Sequence, residues 1–336
     1  RHQYLGVNEA MKTEILKMLR ESEGYLSGQQ LCEQLGVSRT AVWKTIGQLK
    51  EEGYQIQAVR NKGYRLVQGA DVITRAELVS SLDSAWAGSN LVYYDSTDST
   101  NTRARPLAEQ GAPHGTLVVA DSQTAGKGRR GRHWEAPDGT GIWMTLILRP
   151  ELEPQRASML TLVTALAVAD AIRGLTGLEA AIKWPNDIVC GGKKVVGILT
   201  EMSTEAEWIR YVIVGIGINV NMDGFPGELG KTATSLKLEL GRGVKRSPLV
   251  AAVMNAFEKY YALFEKAGDL SGLVDTYNRW SANTGRQVRV LDPAGEYQGE
   301  ALGIDSQGAL LVKCSEGEVK SVISGEVSVR GVYGYV

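Results

Sequence analysis

Apolar residues in KTEILKMLRESEG and QQLCEQLGVSRTAVWKTIGQLKEEG return every three or four positions, the spacing of one face of an α-helix. Leu31, Leu35, Val37, Val42, Ile46 and Leu49 line one side of two such helices joined at Gly36, and Ser38 is placed to cap the second. YQIQAVR and GYRLV follow as two short strands. The pattern predicts a separate domain over residues 11–68, a helix-turn-helix with a hairpin wing. Residues 1–10 do not begin with Met; they are set aside from the fold as a leader or an added segment, with the natural start at Met11. Residues 69–74 serve as a linker, and TRAELVSSL forms a short helix with Thr74 as its cap.

Farther along, LVYYD, TLVVAD, GIWMTLIL, KVVGILTEM and YVIVGIGINV are near-continuous apolar runs of the kind found in buried strands. Helical stretches at 156–175 and 248–266 interrupt them, which predicts a mixed α/β sheet domain over 74–283. After Gly285 the texture changes. RQVRVL, YQGEALGI, ALLVKC and VKSVIS are separated by the turn formers DPAG, DSQG and SEGE, and this spells a small all-β barrel over 284–336. The fold class is thus α+β, in three parts, with no repeat of fixed period.

Composition narrows the chemistry. The 336 residues are 43% hydrophobic, ample for cores, and the formal net charge of −1 excludes a uniformly basic protein, so nucleic-acid contacts must come from local patches. Three cysteines without CxxC spacing and three scattered histidines offer no zinc site and fit a reducing, cytoplasmic setting. Residues 159–172 are too short for the ~20 residues of a membrane span and include Asp170, so they read as a buried helix.

Such a patch stands on the second helix of the head, where Ser38, Arg39, Thr40, Trp43 and Lys44 form a face suited to phosphates and base edges of DNA. Arg60, Lys62 and Arg65 around Gly63 would run along the backbone as a wing. A plain solvated cationic face is the alternative.

A second concentration of charge is GKGRRGR, residues 126–132, at the end of the strand TLVVAD. Gly126, Gly128 and Gly131 leave the backbone open, so that amides and the side chains of Lys127, Arg129, Arg130 and Arg132 can converge on an anion. Walker A geometry is excluded, because Asp121 stands where the first glycine is needed and no Ser or Thr follows Lys127. Trp134 offers a face to a base. KWPNDI then gathers Lys183, Trp184, Asn186 and Asp187, and Lys193 and Lys194 open the next strand across CGG. GIGIN lacks the third glycine and the helix of a dinucleotide fingerprint; its glycines are read as allowing close approach of a ligand, with Asn219 available to a nucleotide.

Taken in order, DSTDSTN, GKGRRGRHW, KWPND, KKVVGIL and GIGIN resemble the biotin protein ligases, and the head resembles that of the bifunctional class that also represses biotin genes. The resemblance runs from Met11 through the C-terminal strands. It implies a winged helix-turn-helix, a catalytic sheet domain like that of class II synthetases and an SH3-like barrel. It also implies a two-step reaction: biotin and ATP with Mg²⁺ give biotinyl-5′-adenylate, and a lysine of a biotin carboxyl carrier protein takes the biotinyl group.

By the same resemblance Ser99, Thr100, Asn101, Gln123, Gly128, Arg129 and Lys194 would surround biotin, with Lys194 near its carboxylate, and Gly126, Lys127 and Arg132 would join the residues that bind the acid or ATP. Trp134 and Asn219 would meet adenine, and Lys183 and Asp187 would orient the reacting groups or the metal, so that Lys194, Arg129, Lys183 and Asp187 carry the catalysis. Lys127 replaces an arginine of some relatives, keeping the charge without the bidentate fork. The loop would close as a lid over the adenylate. Bound adenylate would favour a homodimer that pairs two heads on palindromic operator DNA. A lipoate or octanoate ligase, or a ligand-sensing repressor without ligase activity, are the alternatives.

Overall fold

The computed structural model describes residues 2–67, 71–128, 133–205, 207–323, 328–331 and 335–336. Two compact units divide the chain; one reaches to Asp83 and takes in Lys245–Ala251, and the other holds the remainder.

In the first unit, helices α1 (His2–Glu21), α2 (Gly28–Leu35) and α3 (Arg39–Glu51) precede the antiparallel strands β1 (Ile56–Val59) and β2 (Gly63–Leu66), and α4 (Arg75–Ser81) follows. Leu31, Val42, Ile46 and Leu49 are buried with Ile15, Leu16 and Leu19 of α1, as the three-to-four spacing requires. The Ser38 side chain accepts from Ala41 N at 3.2 Å, and Thr74 caps α4 by accepting from Glu77 N at 3.1 Å. Residues 2–10, set aside on the sequence, belong instead to α1. Proline, the strongest helix breaker, is absent before Met11, and Glu9 pairs at 2.9 Å with Lys12, so the helix continues through that point.

The second unit is built on a mixed sheet of strands β3 (Leu91–Thr97), β4 (Thr116–Lys127), β5 (His133–Ala136), β6 (Gly141–Leu148), β7 (Ala181–Lys183), β8 (Asp187–Cys190), β9 (Lys193–Glu205) and β10 (Trp208–Asn219). Their order is β3-β4-β6-β10-β9-β8-β7, with β5 on β4; β3 and β4 run parallel and the other neighbours antiparallel. Helix α5 (Thr100–Glu109) packs through Ala104 and Ala108 on Val118, Ile147 and Ile213. On the opposite face lies α6 (Met159–Thr176), whose Thr161 hydroxyl bonds that of Thr200 at 2.8 Å; strand alternation puts Thr200 and its partner Val214 away from Ile213. Helix α6 is apolar and long enough to cross a membrane, but it is largely buried within the protein. Asp170 on it accepts from Tyr260 Oη at 3.0 Å.

Short helices α7 (Leu229–Thr232) and α8 (Leu236–Leu240) follow, then α9 (Arg246–Ala267) and α10 (Val274–Trp280). The chain ends in strands β11 (Gln287–Leu291), β12 (Tyr297–Ile304), β13 (Leu310–Lys313), β14 (Val319–Val322) and β15 (Ser328–Gly331). All pair antiparallel, in the order β14-β13-β12-β11-β15. The expected barrel is thereby corrected to an open sheet: β14 and β15 lie at opposite edges, and no ladder joins them among the described residues. Period-two alternation fixes strands and their buried faces, here Val288, Val290, Leu310 and Val312, but says nothing about closure.

Candidate active site

In the first unit, Ser38, Arg39, Thr40, Trp43 and Lys44 are all exposed on α3, and Trp43 is 69% exposed. The opposite side of the helix is buried, so the side chains named for DNA contact share one solvent face. Lys62 is exposed too, 6.0 Å from the centre of the Tyr25 ring, and Arg65 lies 5.1 Å from the same ring.

In the second unit the site grows from the start of α5. Ser99, at the N-cap, makes no capping hydrogen bond, and Ser99, Thr100 and Asn101 are buried. Gln123 on β4 accepts from Thr100 N at 2.8 Å and from its hydroxyl at 3.2 Å. This fixes the Gln123 carbonyl oxygen and leaves the amide N–H groups as the donors to offer. Asn101 is held on both sides: it donates to Glu201 Oε2 at 2.9 Å and accepts from the Thr145 hydroxyl at 2.7 Å.

The glycines of β9 and β10 make the room for this arrangement. A Cβ on Gly215 would stand 2.3 Å from Asn101 Oδ1, and one on Gly197 or Gly217 would stand 2.8 or 3.1 Å from the Trp134 ring. The sequence has the GIGIN glycines admit a ligand; in the structure the groups that approach Gly215 and Gly217 are instead the side chains of Asn101 and Trp134. The Trp134 Nε1 donor is buried without a hydrogen-bond partner, available to an incoming acceptor.

Across the CGG turn, Gly191 and Gly192 adopt φ of 56° and 78°, the left-handed pair a tight hairpin needs, and β8 and β9 pair as expected from the sequence. The turn carries Lys194 to Asp187: the ammonium lies 2.7 Å from Oδ1. Lys194 also sits 5.0 Å from the centre of the Trp134 ring. Lys183, directly across β7 and β8 from Asp187, is 7% exposed, and its ammonium lies 4.0 Å from the ring of Tyr335. The Tyr335 hydroxyl donates to Asp187 Oδ2. Asn219, at the end of β10, donates to Thr234 O at 3.2 Å, and Thr234 N in turn donates to Lys194 O at 2.9 Å.

Two cavities open on these residues. The smaller, about 50 Å³, is lined by Ser99, Thr100, Asn101, Gln123, Lys127 and Gly128. The larger, about 440 Å³, is lined by Lys183, Asp187, Asn219, Arg330 and Tyr335. Gly128, Trp134, Asn186 and Lys194 border both, so the cavities meet along a wall that includes Lys194. Trp134, packed on Gly197 and Gly217, forms part of the wall of both. Gly126 on β4 would carry a Cβ only 2.3 Å from Trp134 O, which binds β4 closely to β5. Arg129, Arg130, Gly131 and Arg132 lie outside the described residues.

Sequence reasoning missed Thr145, Glu201 and Tyr335. The first two had a signal, since each is a polar residue inside an apolar strand; Tyr335 had none.

No group of three or more His, Cys, Asp or Glu is placed to hold a metal among the described residues. Magnesium seldom needs one, being carried mainly by phosphate oxygens and water with one or two carboxylates. Asp187 and Glu135 line the larger cavity and fit that requirement.

Comparison with known proteins agrees with this geometry. Residues 93–219 match the biotin/lipoate A/B protein ligase family, residues 12–65 an HTH domain, and residues 284–330 the biotin protein ligase C-terminal domain. The bifunctional ligase/repressor BirA of Bacillus spizizenii is 43% identical over 90% of this chain and 93% of its own length. BirA of Escherichia coli is 30% identical over 94% of this chain and 96% of its own. Among solved structures, a biotin protein ligase from Aquifex aeolicus in complex with biotin and ATP is similar with a TM-score of 0.64 and 32% identity, over 72% of this chain and 99% of that one. The chain belongs to the biotin protein ligase family, in the company of its bifunctional ligase/repressor members.

Proposed function

We propose that this protein is an ATP-dependent biotin protein ligase that also acts as a biotin-responsive repressor. The observation that carries the ligase reading is the Lys194–Asp187 pair where two cavities meet, one walled by fixed hydrogen-bonding groups and the other larger and bordered by the cations Lys183, Lys194 and Arg330. The smaller takes the acid, with Gln123 N–H groups as donors and Asn101 held as a wall; the larger takes the nucleotide, with Trp134 and Asn219 on the adenine side.

The biotin carboxylate attacks the α-phosphorus of ATP, the bond to the β-phosphate oxygen breaks, and pyrophosphate leaves. No proton moves in this step, so electrostatic placement dominates over acid and base work. Lys194, partly exposed, lies where negative charge concentrates, and Lys183 adds a buried cation. Magnesium, entering with the triphosphate, would neutralise phosphate charge, with Asp187 and Glu135 the carboxylates on that wall. A carrier-protein lysine amine then attacks the acyl carbon, loses its proton and displaces AMP. Gly126, Lys127, Arg129 and Arg132 belong in this account to a lid that retains the adenylate, a mixed anhydride sensitive to water. Arg129→Gly is expected to raise release of free adenylate; unchanged retention would remove the lid.

The division of labour follows the chain: residues 11–68 for DNA, 74–283 for adenylation and 284–336 as the closing sheet. Ser38, Arg39, Thr40, Trp43, Lys44 and Lys62 contact operator DNA, and the liganded protein pairs as a homodimer. Its site of action is the cytoplasm, where ATP, carrier proteins and operators are found. Sedimentation with and without biotin and ATP tests the pairing, and ligand-independent behaviour would count against it. For the ligase, Lys194→Met is expected to abolish pyrophosphate release while leaving the Gln123 side of the acid cavity intact. Retained turnover would refute the assignment of Lys194.

A further inference from the structure

Tyr335 touches both charged residues that flank the Trp-Pro-Asn turn. Its hydroxyl donates to Asp187 Oδ2, and the Lys183 ammonium lies 4.0 Å from the centre of its ring. The other oxygen of the same carboxylate, Oδ1, meets Lys194 Nζ at 2.7 Å. Asp187 is therefore gripped on one side by the phenol and on the other by the lysine at the junction of the cavities. Asp187 and Lys183 are each only 7% exposed, so bulk water cannot readily take over either contact.

The position of Tyr335 argues against a purely architectural part. Its side chain lines the larger cavity rather than the interior of the C-terminal sheet. Nothing in the periodicity of that sheet calls for an aromatic residue there. A tyrosine supplies two separable features, one hydroxyl donor for a carboxylate and one π face for an ammonium. Released from the hydroxyl, the carboxylate can turn about its Cβ–Cγ bond, and the ammonium of Lys194 is drawn with it.

We propose that Tyr335 is a positioning residue for adenylation: it holds the Asp187 carboxylate, and through it the Lys194 ammonium, at the junction of the two cavities, while its ring seats Lys183. This assignment rests on the ligase reading above and adds to it a residue that lines the larger cavity and lies outside the acid-binding wall.

The test compares the wild-type chain with Tyr335→Phe and Tyr335→Ala. Pyrophosphate release is followed with biotin, ATP and Mg²⁺, and biotin binding is measured separately by calorimetry. Phe keeps the ring and loses the hydroxyl, so kcat is expected to fall ~10-fold, the scale of one hydrogen bond to a charged group, with calorimetric biotin affinity unchanged. Ala also removes the ring that lies against Lys183, and its kcat is expected to fall a further ~3-fold. A Tyr335→Phe protein as fast as the wild type, or faster, would overturn the assignment. So would a parallel loss of biotin affinity and thermal midpoint, which would mark Tyr335 as merely structural. A wild type that makes no biotinyl-adenylate would overturn the ligase reading itself; an active wild type with an indifferent Phe variant would overturn only the part given to Tyr335.

Discussion

Gly215→Ala tests whether the acid-binding wall is as closely built as its contacts imply. The new methyl would stand 2.3 Å from Asn101 Oδ1, where ordinary contact begins at 3.4 Å. Asn101 must retreat by about 1 Å, which stretches its 2.7 Å bond from Thr145 and its 2.9 Å bond to Glu201 past useful geometry. A neutral hydrogen bond contributes ~1 kcal/mol and one to a carboxylate ~1.5–3 kcal/mol, so partial loss of both costs roughly 2–4 kcal/mol. For a unit of this size that lowers the melting midpoint by roughly 4–16 °C. Biotin affinity, read by calorimetry, should fall at least ~10-fold, since the displaced amide intrudes on the cavity. Gly224→Ala, with nothing within 4 Å, is the matched control and should change neither quantity. A Gly215→Ala protein that melts and binds like the wild type would show that Asn101 is not pinned and that the wall is misassigned.

Other consequences follow from the same structure. Trp134 lines both cavities, so biotin binding should change tryptophan emission, and Trp134→Phe should abolish most of that change; an unaltered signal in the wild type would contradict the placement of Trp134 beside the ligand. Burial holds the His114 imidazole below the usual histidine range, and its Nδ1 accepts from Arg149 N at 2.9 Å. Its contribution to stability is therefore complete above pH ~6.5 and is lost as pH falls through the lower folded value, which melting curves from neutral to mildly acidic pH should show and His114→Gln should flatten. The opposite slope would contradict it. On the DNA side, Arg39→Ala or Lys44→Ala should weaken binding and lower the salt slope by about 1 each if they meet phosphates. A salt dependence that neither variant alters would place the contact elsewhere.

Much of the fold was legible because burial imposes a period. The three-to-four spacing of Leu31, Val42, Ile46 and Leu49 and the apolar runs of β4, β6 and β10 announce which face is hidden. Turn chemistry did the same for Gly191 and Gly192, and hydroxyl placement did it for Ser38 and Thr74. Strands β5 and β15 each bury a single hydrophobic side chain, Ala136 and Val329, and so show no apolar run to read, and the open C-terminal sheet depends on a pairing that alternation does not encode. At the site, charge density singled out Lys183, Asp187 and Lys194, and the structure brings them together. Thr145 and Glu201 could have been found as polar residues in apolar strands. Tyr335 could not, because its partnership with Asp187 spans 148 positions of sequence and no local pattern marks it.

The most direct test of the account is to incubate the protein with ATP and Mg²⁺ together with biotin, lipoate or octanoate in turn, and to look for the acyl-adenylate by mass spectrometry. The two-cavity site with Lys194 at its junction predicts biotinyl-5′-adenylate, formed with biotin in clear preference to the other two acids. Adenylate formed mainly from lipoate or octanoate would contradict the substrate, and no adenylate from any of the three would contradict the reaction.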